Sequence, residues 1–185
     1  MSSNNLPPTK SFLSDVKAVR ERARTNLEEG AVTPNYPIEA KAVCEVLNSA
    51  LASELVCVLR YKRHYYTAEG IASEAAKAEF LQHAGEEQGH ADQIASRIVQ
   101  LGGAPDLNPD GLAARAHTEY VPGSTLREMI KEDLVAERVG IETYREMINW
   151  LGDRDSTTRS MLEGILAVEE EHAEDMSSML KGLKD

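Results

Sequence analysis

The chain has 185 residues, enough for one domain with a sizeable core. Hydrophobic residues make up 42% and aromatics only 5%, a balance that favours a helical bundle over a β-rich fold. The formal net charge of −11 argues against nucleic acid as the main partner and suits a protein that attracts cations. Residues 1–10, MSSNNLPPTK, read as a flexible polar tail without the apolar core of a signal peptide. Ser11 to about Glu29 is predicted as a short charged helix ended by Gly30. Phe12, Val16, Val19 and Ala23 give it a thin apolar edge for packing on the bundle or on a neighbouring subunit. Its Lys17, Arg20, Arg22 and Arg24 are nearly cancelled by Asp15, Glu21, Glu28 and Glu29, so a solvated face is expected rather than a DNA-binding one. AVTPNYP, with two prolines, is a linker. Residues 1–37 thus form an extension and 38–185 the main domain.

Four long helices follow, each roughly 40–48 Å long. The first is predicted over Ile38–Glu69 and stops at Gly70. It carries both cysteines, Cys44 and Cys57, about 20 Å apart along the axis and too far to bridge. With no C-x-x-C anywhere, the cytoplasm is the expected compartment. The second helix spans about Ser73–Leu101 and ends at Gly102-Gly103. The longest connection, APDLNPDGLAARAHTEYVPG, separates it from the third. The third opens at Ser124 or Thr125, where Thr125-x-x-Glu128 forms a capping box, and ends at Gly152. The fourth runs from Asp155 or Ser156 to about Lys181. A short turn joins the first two helices, and a long crossover joins the second to the third. No apolar run approaches the length of a membrane span, so no membrane partner is expected.

The chemistry lies on the helices' apolar stripes. The second helix steps through Ala76, Phe80, Ala84, Ala91, Ile94, Ile98 and Leu101, and Glu87 and His90 fall on the same face. The fourth repeats this with Leu162, Ile165, Leu166, Ala173, Met176 and Met179 around Glu169 and His172. The first and third helices each carry one in-stripe carboxylate with a tyrosine seven residues on: Glu54 with Tyr61, and Glu137 with Tyr144. Between the halves the offset is 83 for the Glu and Tyr pairs and 82 for the Glu-x-x-His pairs. This is an internal repeat of two helical hairpins. Burying unpaired carboxylates is costly, and a metal removes the cost. Four carboxylates and two imidazoles meeting in one core form a hard ligand set suited to two iron or manganese ions.

Several neighbours are open to blander readings. Tyr61 and Tyr144 are either core tyrosines or hydroxyl donors beside the metals. His64 suits the helix surface or a subunit contact, and His83 and His117 read as structural. Glu86, Glu170, Glu171 and Glu174 lie off the stripe and are expected in solvent. Cys57 is a small core residue or an oxidation sensor near the site.

With those residues in place, the sequence resembles the ferritin superfamily: bacterioferritins, and Dps-like mini-ferritins with a bacterioferritin-type site. The strings that carry the resemblance are LNSALASELVCVLRY, HAGEEQGHAD, EDLVAERVGIETY and ILAVEEEHAED, and the match covers about residues 40–182. The resemblance implies an all-α, antiparallel four-helix bundle with a long crossover. It implies a cytoplasmic ferroxidase that oxidises Fe(II) with O2 or H2O2 at an intrasubunit di-iron centre. The product is stored in a homo-oligomeric cage. Glu54, Glu87, His90, Glu137, Glu169 and His172 would be the ligands, with Glu87 and Glu169 bridging the two irons. Glu54 with His90, and Glu137 with His172, would be the terminal pairs, and Tyr61 matches a tyrosine beside the site. Mn or Zn would bind in vitro. Gln88 stands where bacterioferritins carry a haem-ligating Met, so no haem is expected. Only 13 residues follow His172, too few for the fifth helix of the larger shells, so twelve subunits are expected rather than twenty-four. The rivals are a di-iron oxidoreductase without storage, such as a rubrerythrin-like peroxidase or a hydroxylase, and a Dps-like stress protein binding DNA.

Overall fold

A computed structural model describes residues 15–70 and 73–183. Among these residues there are six α-helices and no strands. The first, α1 (Val16–Arg22), is capped by Asp15, whose carboxylate accepts from the backbone N–H of Lys17 and Ala18. It is shorter than expected. Thr25 donates its hydroxyl to the Arg22 carbonyl, and Asn26 takes the left-handed backbone at φ 51°, which ends helical geometry. One 3-10 turn, Leu27–Glu29, completes the stretch before Gly30. The expected packing of this edge on the bundle is not seen, because α1 buries no residue and Val16 and Val19 stay exposed. Ser11 and Phe12 lie outside the described residues. The predicted linker is docked instead: Val32, Tyr36 and Ile38 pack against the core, and the Tyr36 hydroxyl donates to Asp155.

The four long helices are α2 (Ala40–Thr67), α3 (Ser73–Gln100), α5 (Leu126–Leu151) and α6 (Ser156–Gly182), with a one-turn helix α4 (Leu112–Arg115) in the crossover. Their bounds follow from local chemistry. Thr125 and Glu128 close the predicted capping box at the start of α5. Asp155 caps α6 by accepting from the Thr158 N–H at 3.0 Å. Gly152 takes a positive φ of 53° at the end of α5, a conformation that suits glycine. Helix α2 packs mainly on α3, and α5 on α6, so each hairpin is a unit. Helices α2 and α5 run antiparallel, since Tyr61 meets Glu137 and Tyr144 meets Glu54.

The apolar core falls into two clusters. One is built on Leu47, Leu51, Ile94, Ile98, Leu162 and Ile165, the other on Tyr61, Phe80, Met129, Ile130 and Met176. The in-stripe carboxylates lie between them along every helix. Helix α2 also corrects an expectation from sequence. By length and composition alone it is long and apolar enough to cross a membrane, because small and apolar residues raise its mean hydropathy without forming one unbroken run. In the fold, 56% of that apolar window is buried, and it supplies much of the core.

Candidate metal centre

Helical geometry brings each predicted ligand to the divide between the clusters. Glu54, Glu87, His90, Glu137, Glu169 and His172 are all buried. They form two overlapping groups whose donor atoms lie within 4.8 Å of one another. One group is Glu54, Glu87, His90 and Glu169; the other is Glu87, Glu137, Glu169 and His172. Glu87 and Glu169 belong to both. His90 Nδ1 lies 2.9 Å from Glu169, 3.3 Å from Glu54 and 3.9 Å from Glu87. His172 Nδ1 lies 3.3 Å from Glu87 and 3.8 Å from Glu137.

The orphaned atoms test whether these residues fit metal ions. Buried polar atoms are normally hydrogen-bonded. Here seven buried atoms of the six residues have no hydrogen-bond partner: Glu54 Oε2, both oxygens of Glu87, His90 Nδ1, Glu137 Oε2, Glu169 Oε1 and His172 Nδ1. All belong to the two overlapping groups. A hard, oxygen-rich donor set with two imidazoles fits a pair of divalent first-row ions.

The same crowding shifts the acids and bases. Burial raises Glu54 to about 8, helped by the neighbouring Glu87 carboxylate. Burial, then Glu87, Glu54 and Glu137, hold Glu169 well above the carboxylate range. Glu87 and Glu137 are lowered: burial opposes their charge, and the adjacent imidazoles and carboxyl groups, His172 among them, outweigh it. Burial also opposes the imidazolium of His90, but Glu54 and Glu87 push it up to about 10. Glu137 and Glu87 do the same for His172, again to about 10. Without metal, protons offset the carboxylate charge; cations binding there would displace them.

The tyrosines hold Glu137 and Glu54 crosswise. Tyr61 donates to Glu137 Oε1 at 2.5 Å, and Tyr144 donates to Glu54 Oε1. Each bond fixes one carboxylate oxygen and leaves the other turned inward and unpartnered. Burial raises both phenols well above their ordinary range, so they act as donors.

Several participants lie where the sequence reading did not put them. Glu86 is partly buried, not solvated, and bonds His172 Nε2 at 2.7 Å. It sits beside Glu87 in sequence, one step off the apolar stripe, where the α3–α6 contact still reaches it. Glu170 does face outward, paired with Arg145 at 2.7 Å. His64 is fully buried, not on the surface: it reaches Asp133 at 2.8 Å and the Pro122 carbonyl at 3.0 Å. Arg60, also fully buried, donates to Asp133 at 2.8 Å and to the Glu119 carbonyl at 3.0 Å, tying the crossover to the bundle. Gly140, one turn beyond Glu137, leaves room for Glu169: a Cβ there would stand 3.4 Å from Oε2. A helical glycine on the stripe beside a ligand was the available signal. Cys57 is buried with its thiol pushed well up by burial, which fits an inert core residue. His117 caps a crevice between α2 and α5, with its backbone N–H bonded to Ser53 at 2.9 Å. Gln88 is exposed and donates to Asp92 at 3.0 Å.

Comparison with known proteins agrees with this architecture. A family model described as a ferritin-like domain matches residues 44–185. The bacterioferritin of Rhodobacter capsulatus is 32% identical over 142 residues, covering 75% of this chain and 82% of its own. A nutrient stress-induced DNA-binding protein of Synechococcus is 34% identical over 136 residues, covering 71% of this chain and 76% of its own. The solved dodecameric thioferritin of Bacteroides fragilis, a bacterioferritin-related protein, superposes with a TM-score of 0.75 at 31% identity, covering 78% of this chain and 88% of that one. On its helical architecture, its matched domain and these relatives, the chain belongs to the ferritin-like family.

Proposed function

We propose that the protein is a ferroxidase that oxidises Fe(II) at the paired site and stores the Fe(III) product inside a cage of its own copies. The observation that carries this reading is the convergence of seven unpartnered buried donor atoms in two groups sharing Glu87 and Glu169. Glu54 with His90 would bind one substrate ion and Glu137 with His172 the other. The two shared glutamates would bridge them. Two Fe(II) ions held together supply the two electrons that reduce O2 to H2O2, or H2O2 to water, so no one-electron radical is released. The carboxylates offset the charge added as each iron goes from Fe(II) to Fe(III). Tyr61 and Tyr144 keep the terminal glutamates oriented. The crevice between α2 and α5, lined by Ala50, Gly140, Thr143 and Met147, reaches Glu54 and Glu169 and offers a small neutral oxidant a path.

The Bacteroides fragilis relative supports twelve copies per cage, since that protein is dodecameric. Light scattering on the purified protein checks the number. Aerobic addition of Fe(II) should give a rapid phase that saturates near two irons per chain, followed by slower mineral growth. Oxidation no faster than in buffer would refute the ferroxidase reading. A second reading, DNA binding, draws on the name of the Synechococcus relative. The net charge of −11 opposes it. A gel shift at low and physiological salt distinguishes the two.

A further inference from the structure

Beside the paired site, on the face where α3 meets α6, stands a histidine that the proposed chemistry does not use. His83 is fully buried, and its ring stacks on His172 with centroids 3.9 Å apart. Its Nδ1 lies 3.2 Å from the Tyr61 hydroxyl. That hydroxyl already donates its proton to Glu137. The contact to His83 is therefore satisfied when Nδ1 carries the ring proton and donates to the tyrosine oxygen. In that tautomer Nε2 presents a lone pair.

The lone pair points at two carboxylates. His83 Nε2 is 3.8 Å from Glu79 Oε2 and 3.7 Å from Asp175 Oδ2, beyond hydrogen-bond reach, and it has no hydrogen-bond partner. Three electron-rich atoms facing one another repel unless a cation stands between them. Their spacing suits one, because ligand atoms about 2.1 Å from an ion lie roughly 3–4 Å apart. The Glu79 and Asp175 side chains are 39% and 47% exposed, so an ion could arrive from solvent and keep waters at its other positions. We propose that His83, Glu79 and Asp175 form a third, mononuclear divalent-cation site that delivers ions to the paired centre. One nitrogen and two carboxylates favour Fe(II), Mn(II), Co(II) or Zn(II) over the all-oxygen ions.

Glu86 links the two sites. Its carboxylate bonds His172, and with His83 and His172 it forms a further group of donor atoms within 4.8 Å. An ion leaving Asp175 thus meets Glu86 before it reaches the His172 side of the pair. One such site occurs per chain, because 82 positions from Glu79, His83 and Glu86 stand Met161, Ile165 and Val168, none of which offers a carboxylate or imidazole.

The proposal rests on the paired-site reading, and one titration tests both separately. Co(II), which air does not readily oxidise at such sites, is titrated by calorimetry into the assembled protein and counted per chain. Wild type should take three ions. Glu79→Gln/Asp175→Asn, which alters only partly exposed side chains, should take two with an unchanged helical spectrum. Glu87→Ala should lose paired ions and keep the third. Wild type saturating at two, or the double variant still taking three, overturns the third site and leaves the pair standing. A Glu87→Ala variant with wild-type stoichiometry refutes the pair, while loss of one ion in the double variant still supports the third site.

Discussion

The two hairpins carry the same candidate ligands but surround them differently. Between α2 and α5 an offset of 83 positions relates Glu54 to Glu137 and Tyr61 to Tyr144. The same offset relates Cys57 to Gly140, Arg60 to Thr143, His64 to Met147, and Ala50 to Asp133. On one flank, Arg60, His64 and Asp133 make a fully buried polar lock that grips the crossover at Glu119 and Pro122. On the other flank, Thr143, Met147, Ala50 and Gly140 line a small crevice that His117 and Thr118 of the crossover cap. Between α3 and α6 the asymmetry recurs: His83 and Glu86 face Ile165 and Val168 across the repeat. The lesson is that the candidate metal-binding positions keep near-perfect two-fold symmetry, whereas their surroundings do not. The crossover grips one flank through a buried ion pair and touches the other through His117 and Thr118 at the crevice.

The comparison breaks first at the shared residues. If Glu87 and Glu169 serve both ions, losing either should cost more than losing a terminal ligand. Glu87→Ala and Glu169→Ala should each abolish two-metal binding and slow rapid Fe(II) oxidation by at least about a hundredfold. Even outer partners of metal ligands cost about 10–100-fold. Glu54→Ala and Glu137→Ala should leave one ion bound at the pair. Metal counting and stopped-flow absorbance read the outcome. Zn(II) should raise the melting temperature of wild type more than that of Glu87→Ala, since each ion bound only by the folded state stabilises it. Equal losses at the shared and terminal positions would refute the division of roles.

Next in size is the lock. Arg60→Met leaves Asp133 buried with its arginine gone, a change that costs about 3–5 kcal/mol. Its counterpart Thr143→Val faces the crevice and should cost below about 1 kcal/mol. Urea denaturation at fixed protomer concentration compares them. Combining Arg60→Met with Asp133→Leu should recover part of the loss, because the stranded charge is then absent. A small effect of Arg60→Met would mean that the lock does not hold the crossover.

The sequence made the helices and the six converging residues legible because both depend on spacing within one chain segment. Apolar stripes, the Thr125 box and the Asp155 cap are local, and the structure reproduces them within two residues at each long-helix end. Contacts between helices were not legible. Tyr61 lies seven residues from Glu54, about 10 Å along the axis, so it cannot reach that glutamate and instead bonds Glu137. Periodicity puts Glu86 off the stripe, but a bundle buries more than one stripe where two helices touch. Nothing in the spacing of Arg60 and Asp133 marks them as partners; only tertiary register makes them a pair. At the other end of the scale, Asn26 broke the N-terminal helix because one left-handed residue overrides a weak apolar edge.

Gly140 sharpens the open flank. Alanine there removes the entropy cost of a helical glycine, worth up to about 1 kcal/mol. Its Cβ would stand 3.4 Å from Glu169 Oε2, an ordinary contact, and would narrow the crevice. Gly140→Ala should therefore melt at or slightly above wild type while rapid oxidation slows about tenfold, equivalent to about 1.4 kcal/mol of barrier. A Met129→Leu change, in the second apolar cluster and away from the crevice, should leave the oxidation rate within about twofold. If both variants slow oxidation alike, the crevice is not the oxidant's path.

The smallest expected effect lies where the two hairpins begin their second helices. Asp155 opens α6, and 82 positions earlier Ser73 opens α3. Arg97 bonds both oxygens of Asp155 at 3.1 Å, while 82 positions beyond Arg97 stands the uncharged Met179. One helix start is therefore ionic and the other neutral. Burial works to raise the Asp155 pKa, but bonds from Thr158, Tyr36 and Arg97 outweigh it and hold the carboxyl below its ordinary value. A folded-state pKa below the unfolded value of about 3.9 means that the carboxylate stabilises the fold above that pH. The stabilisation is lost as pH falls through the lower, folded value. Asp155→Asn keeps a capping side chain and removes the charge, so it should cost about 1 kcal/mol near pH 6. That gap should shrink below about pH 4, where the wild-type carboxylate takes up its proton. Ser73→Ala removes a hydroxyl that donates to the Gly70 carbonyl at 2.7 Å, and nothing in that contact titrates, so its gap from wild type should stay constant over the same range. Comparing each variant with wild type at every pH cancels the titration of the buried centre, which all three proteins share. A pH-independent gap for Asp155→Asn would show that the charge on Asp155 contributes nothing, and that the two helix starts differ in sequence but not in stability.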